Sequence, residues 1–376
     1  MKTIPILTAF AVMGLLCPLT PQAGEPDWES MPYTPHSEYQ AVDADGFGTF
    51  PLTDPVRMRG VIVNRPEDML NGAPAAPGYL GGLWQIFVQT ADDDDFGGTA
   101  GWMGQYIGKI VGNHPDGSYT DEEWLAEIAR LSFDPVSGHE FQPGDLVELR
   151  ARAPGLAFRG KTNINEQHSN DPAADFDIYL LEADRGLPTP AVLSLADLKD
   201  ADDEFIFDPD RLTGCEHHQG TLVRFNDIEF VDTAEWGPDA ELVIQDGTGR
   251  TFPVKIGLGD GFGTYEPPPA PFDIIGILDQ EDYNSDDGNK DGYRLWVMYY
   301  TGNGYIIPEP FALAGDMNCD GLVNAYDIDG FILAIGNPDD YEQTYPNCLL
   351  ANADMNKDGI ANAYDIDGFI AAVGGG

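Results

Sequence analysis

The sequence predicts a mainly β protein, with two tandem small β-barrels followed by a small α-helical module. Short runs of β-branched and aromatic residues recur about every ten residues and are separated by Gly, Pro and Asp, which is typical of barrels and sandwiches. From residue 315 onward the apolar residues change to helical spacing. A chain of 376 residues is long enough for two or three such domains.

The N-terminus has the pattern of a secretory signal peptide, which we assign to residues 1–23. Lys2 precedes an apolar run over residues 4–16, and Ala23 provides a cleavage position. The run is shorter than the roughly 20 residues that span a bilayer, so no transmembrane anchor is predicted. We therefore expect a secreted protein that is extracellular or associated with the cell surface. Residues 24–55, rich in Pro, Gly and Asp, are predicted to form a flexible N-terminal segment.

The first β series defines a predicted β-barrel domain over residues 56–195. One helical insertion interrupts it, because Thr120 followed by Glu123 is the sequence signature of a capping box ahead of apolar residues at helical spacing. The predicted strands of this series lie at residues 56–63, 83–89, 145–152 and 176–181.

The second β series defines a second predicted barrel over residues 196–305. Its turn at residues 246–249, Asp-Gly-Thr-Gly, indicates a hairpin. Residues 306–314 contain two prolines and are predicted to be a short linker. The predicted strands of this series lie at residues 221–225, 228–231, 241–245, 251–256, 272–278 and 293–300.

Both series have strands in a similar order, and in each a strand ends in Gln before a Gly-rich turn, at Gln89 and at Gln245. In this order and these turns, residues 56–305 resemble the OB-fold modules of secreted bacterial proteins. The resemblance implies two five-stranded barrels in tandem. It does not imply nucleic-acid binding, because 64 acidic against 19 basic residues give a net charge of -45, whereas phosphate binding needs clustered Lys and Arg.

The C-terminus contains an internal repeat. Residues 315–336 and 353–374 are identical at 16 of 22 positions. Each copy places carboxylate or amide oxygens at loop positions 1, 3, 5, 9 and 12 with Gly at position 6, which is the pattern of an EF-hand-type calcium loop. We therefore predict two Ca²⁺ ions. The predicted ligands are Asp316, Asn318, Asp320, the carbonyl of Leu322, Asn324 and Asp327 in the first loop, and Asp354, Asn356, Asp358, the carbonyl of Ile360, Asn362 and Asp365 in the second.

With paired loops of this form, each followed by a helix, residues 315–376 resemble a type I dockerin. The resemblance implies calcium-dependent folding and docking onto a cohesin-like partner. It also implies recognition through loop positions 10 and 11, which are Ala325 and Tyr326 in one copy and Ala363 and Tyr364 in the other. Because the two pairs are identical, docking in either of two orientations is expected. The alternative is a module that binds calcium only to hold its own fold.

Three cysteines remain after removal of the signal peptide. Cys319 and Cys348 lie in the same C-terminal module and are the expected disulfide, which leaves Cys215 without an assigned role.

These features favour a non-catalytic protein that displays two β domains and docks through its C-terminal module. The alternative is a dockerin-bearing extracellular hydrolase involved in polysaccharide degradation, although no nucleophile, P-loop or zinc-hydrolase motif is present and no catalytic residue is assigned. A third possibility is glycan binding by a face of exposed aromatic residues, with core packing as the competing explanation. The residues considered for that face are Trp84, Trp102, Tyr106 and Trp124.

Overall fold

The structure is a computed structural model, and it describes most of residues 26–374. The predicted signal peptide and nearly all of the predicted linker lie outside the described residues. Within this range the description omits residues 53, 67–79, 81, 106–118, 153–155, 166–175, 260, 285, 287, 299, 301–313, 319–322, 346–347 and 356–360.

The first β region forms a seven-stranded sheet in the order β5-β6-β3-β2-β1-β4-β7. Neighbouring strands are antiparallel except for β3 and β6, which run parallel. Its strands are β1 (Val56–Ile62), β2 (Leu83–Thr90), β3 (Gly98–Gly104), β4 (Leu146–Ala151), β5 (Leu156–Phe158), β6 (Lys161–Asn165) and β7 (Phe176–Glu182).

A helix, α2 (Asp121–Ser132), connects β3 to β4. Its first turn has the capping box that the sequence indicates. The backbone N–H of Glu123 donates to the Thr120 hydroxyl at 3.3 Å, and the backbone N–H of Thr120 donates to the Glu123 carboxylate at 2.8 Å. Trp124 and Leu131 project from this helix into the buried core of the first sheet.

The second β region forms a six-stranded sheet in the order β10-β11-β13-β12-β9-β8. An additional pairing of β10 with β9 closes five of these strands into a small barrel. The strands β11 and β13 run parallel, as do β8 and β9. The strands are β8 (Ala191–Leu193), β9 (Leu222–Phe230), β10 (Glu241–Gln245), β11 (Thr251–Ile256), β12 (Phe272–Gln280) and β13 (Tyr293–Val297).

Residues 26–50, which the composition predicted to be flexible, are packed against the first sheet. Trp28 is buried, and so is Tyr39 in the short helix α1 (His36–Tyr39). The carboxylate of Asp95 accepts the backbone N–H of His36 at 2.7 Å. Buried aromatic side chains therefore hold a segment whose Pro, Gly and Asp content suggested a tether.

The two sheets share a buried apolar cluster. Val63 and Phe87 from the first region pack with Leu222 and Ile275 from the second. The contact includes a backbone hydrogen bond, in which the N–H of Gly98 donates to the carbonyl of Gln219 at 2.9 Å. The β regions are therefore in direct contact. Strand β8, which lies inside the residue range predicted for the first barrel, pairs with the second sheet.

The C-terminal module is built from three short helices, α4 (Ile328–Gly336), α5 (Pro338–Thr344) and α6 (Ile366–Gly374). The rings of Phe331 and Phe369 stack with centroids 4.0 Å apart and planes within 4° of parallel, which joins α4 to α6. Leu349, from the segment between the two repeats, packs into the apolar cluster that the two sheets share. No helix among the described residues is both long and apolar enough to span a bilayer.

Candidate functional site

The two repeats have the same local structure. A single 3-10 turn leads into each of two helices, at Ala325–Asp327 before α4 and at Ala363–Asp365 before α6. The Asn324 side-chain oxygen accepts the N–H of Tyr326 at 2.8 Å. The Asn362 oxygen accepts the N–H of Tyr364 at the same distance. The repeated sequence is therefore also a repeated structure.

The closing carboxylate of each loop turns inward. One oxygen of Asp327 accepts the backbone N–H of Met317 at 2.7 Å, and the other accepts that of Asn324 at 2.8 Å. Asp365 accepts the backbone N–H of Asn362 at 2.8 Å. Both carboxylates are fully buried, which is the placement expected for loop position 12.

The donor set of these loops fits a hard cation. Asp316, Asp327 and Asp365 are fully buried, although burying a carboxylate is unfavourable unless opposite charge balances it. Residues 315–376 contain eleven acidic residues and a single basic one, Lys357. Burial raises the pKa of the Tyr341 phenol, and the nearby Asp316 and Asp327 carboxylates raise it further. Oxygen ligands in an uncompensated negative environment suit Ca²⁺.

Part of the predicted ligand set can be located. Each loop contributes two carboxylates and at least one asparagine to the described part of the chain. The predicted ligands described there are Asp316, Asn318, Asn324 and Asp327 in the first loop, and Asp354, Asn362 and Asp365 in the second. Within that part of the chain, no group of three or more His, Cys, Asp or Glu side chains is arranged to hold a metal ion. The predicted ligands that lie outside the described residues are Asp320, Leu322, Asn356, Asp358 and Ile360.

The cysteines occupy two different environments. Cys348 is buried in the core of the C-terminal module and is disulfide-bonded. Its predicted partner, Cys319, lies outside the described residues, so the pairing stays a prediction. Cys215 is a free thiol in the short helix α3 (Gly214–His218), where burial raises its pKa well above the usual value. Its thiol donates to the carbonyl of Leu198 at 3.4 Å, which makes it a packed core residue.

The predicted recognition tyrosines are the most exposed large apolar side chains among the residues of the module that the structure describes. Tyr326 is 80% exposed and Tyr364 is 84% exposed. Two isoleucines follow each tyrosine and are exposed as well, although the sequence analysis did not select them. We call this set of exposed side chains the docking face, and it consists of Tyr326, Ile328, Ile332, Tyr364, Ile366 and Ile370.

A repeated signal could have identified the isoleucines. They lie four residues apart on each helix, so they share one helical face, and the same spacing occurs in both copies. Of the predicted alanines, Ala363 is exposed beside this face, and the side chain of Ala325 lies outside the described residues.

The aromatic residues considered for a sugar-stacking face do not form one surface. Trp84 and Trp124 are buried in the core of the first sheet, as the competing explanation expected. Trp102 is partly exposed on β3, and Tyr106 lies outside the described residues.

Residues 314–373 match the family model of the dockerin type I domain. The C-terminal module is therefore a type I dockerin, a family that binds calcium. Comparison with curated proteins and with solved structures finds no significant match for the chain.

Proposed function

We propose that this protein is a secreted, calcium-dependent docking protein that attaches two β domains to a cohesin in an extracellular or cell-surface assembly. The observation that carries the proposal is the docking face, on which two copies of the same Tyr-Ile-Ile set are exposed on one small module. Aromatic residues are enriched at protein interfaces, and tyrosine is among the residue types that most often carry the binding energy.

Two calcium ions, one in each loop, would provide the positive charge that the module lacks. The buried Asp316, Asp327 and Asp365 would act as ligands together with Asp354 and the loop asparagines. Because the inward position of each carboxylate orders the start of α4 or α6, loading the loops would stabilise the helices that carry the docking face.

The symmetry of the module supports docking in two orientations. Gly330 faces Met317 and Gly368 faces Met355, and a Cβ added to either glycine would lie 2.8 Å from the methionine Cβ. These equivalent contacts flank the stacked phenylalanines at the centre of the helix pair. A partner that binds one copy of the Tyr-Ile-Ile set would therefore find the same set after the module is turned around.

For the β domains we propose two OB-like barrels, with the boundary placed before β8 rather than at residue 195, because β8 pairs with the second sheet. The second sheet supports this, since its closed order β9-β10-β11-β13-β12, with β11 parallel to β13, is that of a five-stranded Greek-key barrel. The first sheet has the order β3-β2-β1-β4, with β6 parallel to β3 and α2 inserted before β4.

Docking is tested by titrating the full chain with a panel of purified type I cohesin modules, in calcium and after chelation. We expect at least one cohesin to bind in calcium and to dissociate on chelation. If the protein binds calcium and gains helix but engages no cohesin in the panel, the module serves only its own fold and the docking function is wrong.

A further inference from the structure

The stretch of chain that leads into the second calcium loop contacts two separate apolar cores. Cys348 and Ala353 are buried in the core of the C-terminal module, and Leu350 packs against that core. Leu349 is buried instead in the cluster that the two sheets share, and Ala351 packs against the same cluster. Residues that alternate along one short stretch of the dockerin therefore belong to its own core and to the core between the β regions.

Leu349 is buried by the β regions and not by its own module. It is only 4% exposed, although it is no part of the module's core. Because a vacated leucine site leaves a cavity that its neighbours fill only in part, both β regions would be destabilised if Leu349 left. The shared cluster around it contains Val63, Phe87 and Ala100 from the first region and Leu222, Ile275, Ile277 and Met298 from the second.

The same stretch is hydrogen-bonded to the start of both calcium loops. The Asn352 side chain donates to the carbonyl of Asp316, the first residue of the first loop, at 2.8 Å. The backbone carbonyl of Asn352 accepts the N–H of Gly315 at 2.7 Å. The N–H of Asp354, the first residue of the second loop, donates to the carbonyl of Ala351 at 3.1 Å. The residues that contact the β regions are therefore held by the first residues of both loops.

We propose that residues 348–353 are a latch that fixes the dockerin against the two β regions, so that calcium in the loops stabilises the β regions as well as the module. The inference rests on the calcium-coupled folding proposed above. With the loops loaded, the latch is ordered and Leu349 stays in the shared cluster. Without calcium, the latch loses the loops that hold it, and Leu349 leaves the cluster. The dockerin is then a structural part of the body that it attaches, with calcium controlling the contact.

The β regions have other contacts with each other, so the loss of the latch should weaken their association without unfolding them. Lys161 on β6 contacts Asp279 on β12 at 2.5 Å, and both side chains are buried. The N–H of Gly98 donates to the carbonyl of Gln219 at 2.9 Å. These contacts do not involve the module. The expected effect of calcium on the β regions is therefore a shift in their melting temperature.

Tryptophan fluorescence reports on this effect without interference from the module. All six tryptophans of the chain precede residue 300, and none lies in residues 315–376. One of them, Trp296, packs against the shared cluster. The test is thermal unfolding of the full chain followed by tryptophan fluorescence, in saturating calcium and after chelation. Calcium stoichiometry and helical circular dichroism are measured on the same samples, so that the state of the module is known independently.

The test variant is Leu349→Ala, and its matched control is Leu350→Ala, in which the neighbouring leucine is removed from the module's own core. For the parent, we expect chelation to lower the tryptophan-detected melting temperature by about 4 °C or more, the shift that loss of one buried leucine produces in domains of this size. Leu349→Ala should show the lower melting temperature already in calcium and change little on chelation, while it still binds calcium and gains helix. Leu350→Ala should melt like the parent in calcium and still respond to chelation.

Three results would contradict the latch and leave the docking function intact. In the first, calcium binds and adds helix, but the tryptophan-detected transition of the parent does not move. In the second, Leu349→Ala responds to chelation as the parent does, because calcium would then act on the β regions by another route. In the third, the two leucine variants lower the melting temperature in calcium equally. A chain that binds no calcium would overturn both the latch and the calcium-dependent docking.

Discussion

Replacing the two docking tyrosines singly and together tests whether the C-terminal module docks in two orientations. The variants are Tyr326→Ala, Tyr364→Ala and the double substitution. Both side chains are exposed and belong to equivalent turns, so their removal leaves no cavity in the module. Any loss of affinity therefore reports on the interface rather than on folding.

The expected magnitudes follow from the symmetry. An exposed tyrosine that becomes a central contact contributes about 2 kcal/mol or more, which is roughly 30-fold in Kd for the orientation that uses it. If the two orientations are equally populated, a single substitution removes only one of them. The affinity then falls about twofold, equivalent to about 0.4 kcal/mol. The double substitution removes both and should cost the full 30-fold.

The assay is calorimetric titration of the full chain with a binding cohesin in saturating calcium. Tyr265→Ala, which removes a partly exposed tyrosine from the β region, is the control and should bind normally. The reasoning is refuted if Tyr326→Ala alone causes the whole loss and Tyr364→Ala none, because docking would then use one orientation. It is also refuted if the double variant binds like the parent, because the docking face would not be the interface.

Three further outcomes are expected. Asp327→Ala and Asp365→Ala should each lower the calcium stoichiometry from two ions to one and reduce helical circular dichroism, whereas unchanged stoichiometry would exclude that loop as a site. Peptide mapping without reductant should recover Cys319 linked to Cys348, and a linkage to any other cysteine would show the pairing to be wrong. Burial alone would raise the pKa of Glu281, but neighbouring basic side chains lower it to about 2. A carboxyl whose pKa is lowered by folding stabilises the folded state at pH values above its ordinary pKa of 4.5. For Glu281 this stabilisation is up to about 3 kcal/mol, and it is lost as the pH falls toward 2. Thermal unfolding between pH 6 and pH 3 should therefore be steeper in pH for the parent than for Glu281→Gln, and parallel curves would contradict this.

The dockerin module was predictable because its chemistry is local. Ligand oxygens, the bend glycine and the following helix recur at fixed spacing within 22 residues, and the duplication repeats every one of these signals. Tyr326 and Tyr364 were named as recognition residues from the resemblance to type I dockerins, which places recognition at loop positions 10 and 11, and that role stays a prediction. The isoleucines Ile332 and Ile370 carry a helical signal too, but it is ambiguous, since apolar spacing alone does not separate the face that packs inward from the face left exposed.

The β regions depended on long-range contacts. Strand positions followed from alternation and turns, whereas the closure of the second barrel needs β9 to pair with both β10 and β12, which no local pattern specifies. Composition predicted a flexible segment over residues 24–55, but the side chains of Trp28 and Tyr39 are buried, and the sheet that this segment packs against begins only at residue 56. The contact between the two β regions is the extreme case, because Phe87 and Ile275 are 188 positions apart and share one buried cluster only where the two sheets pack together.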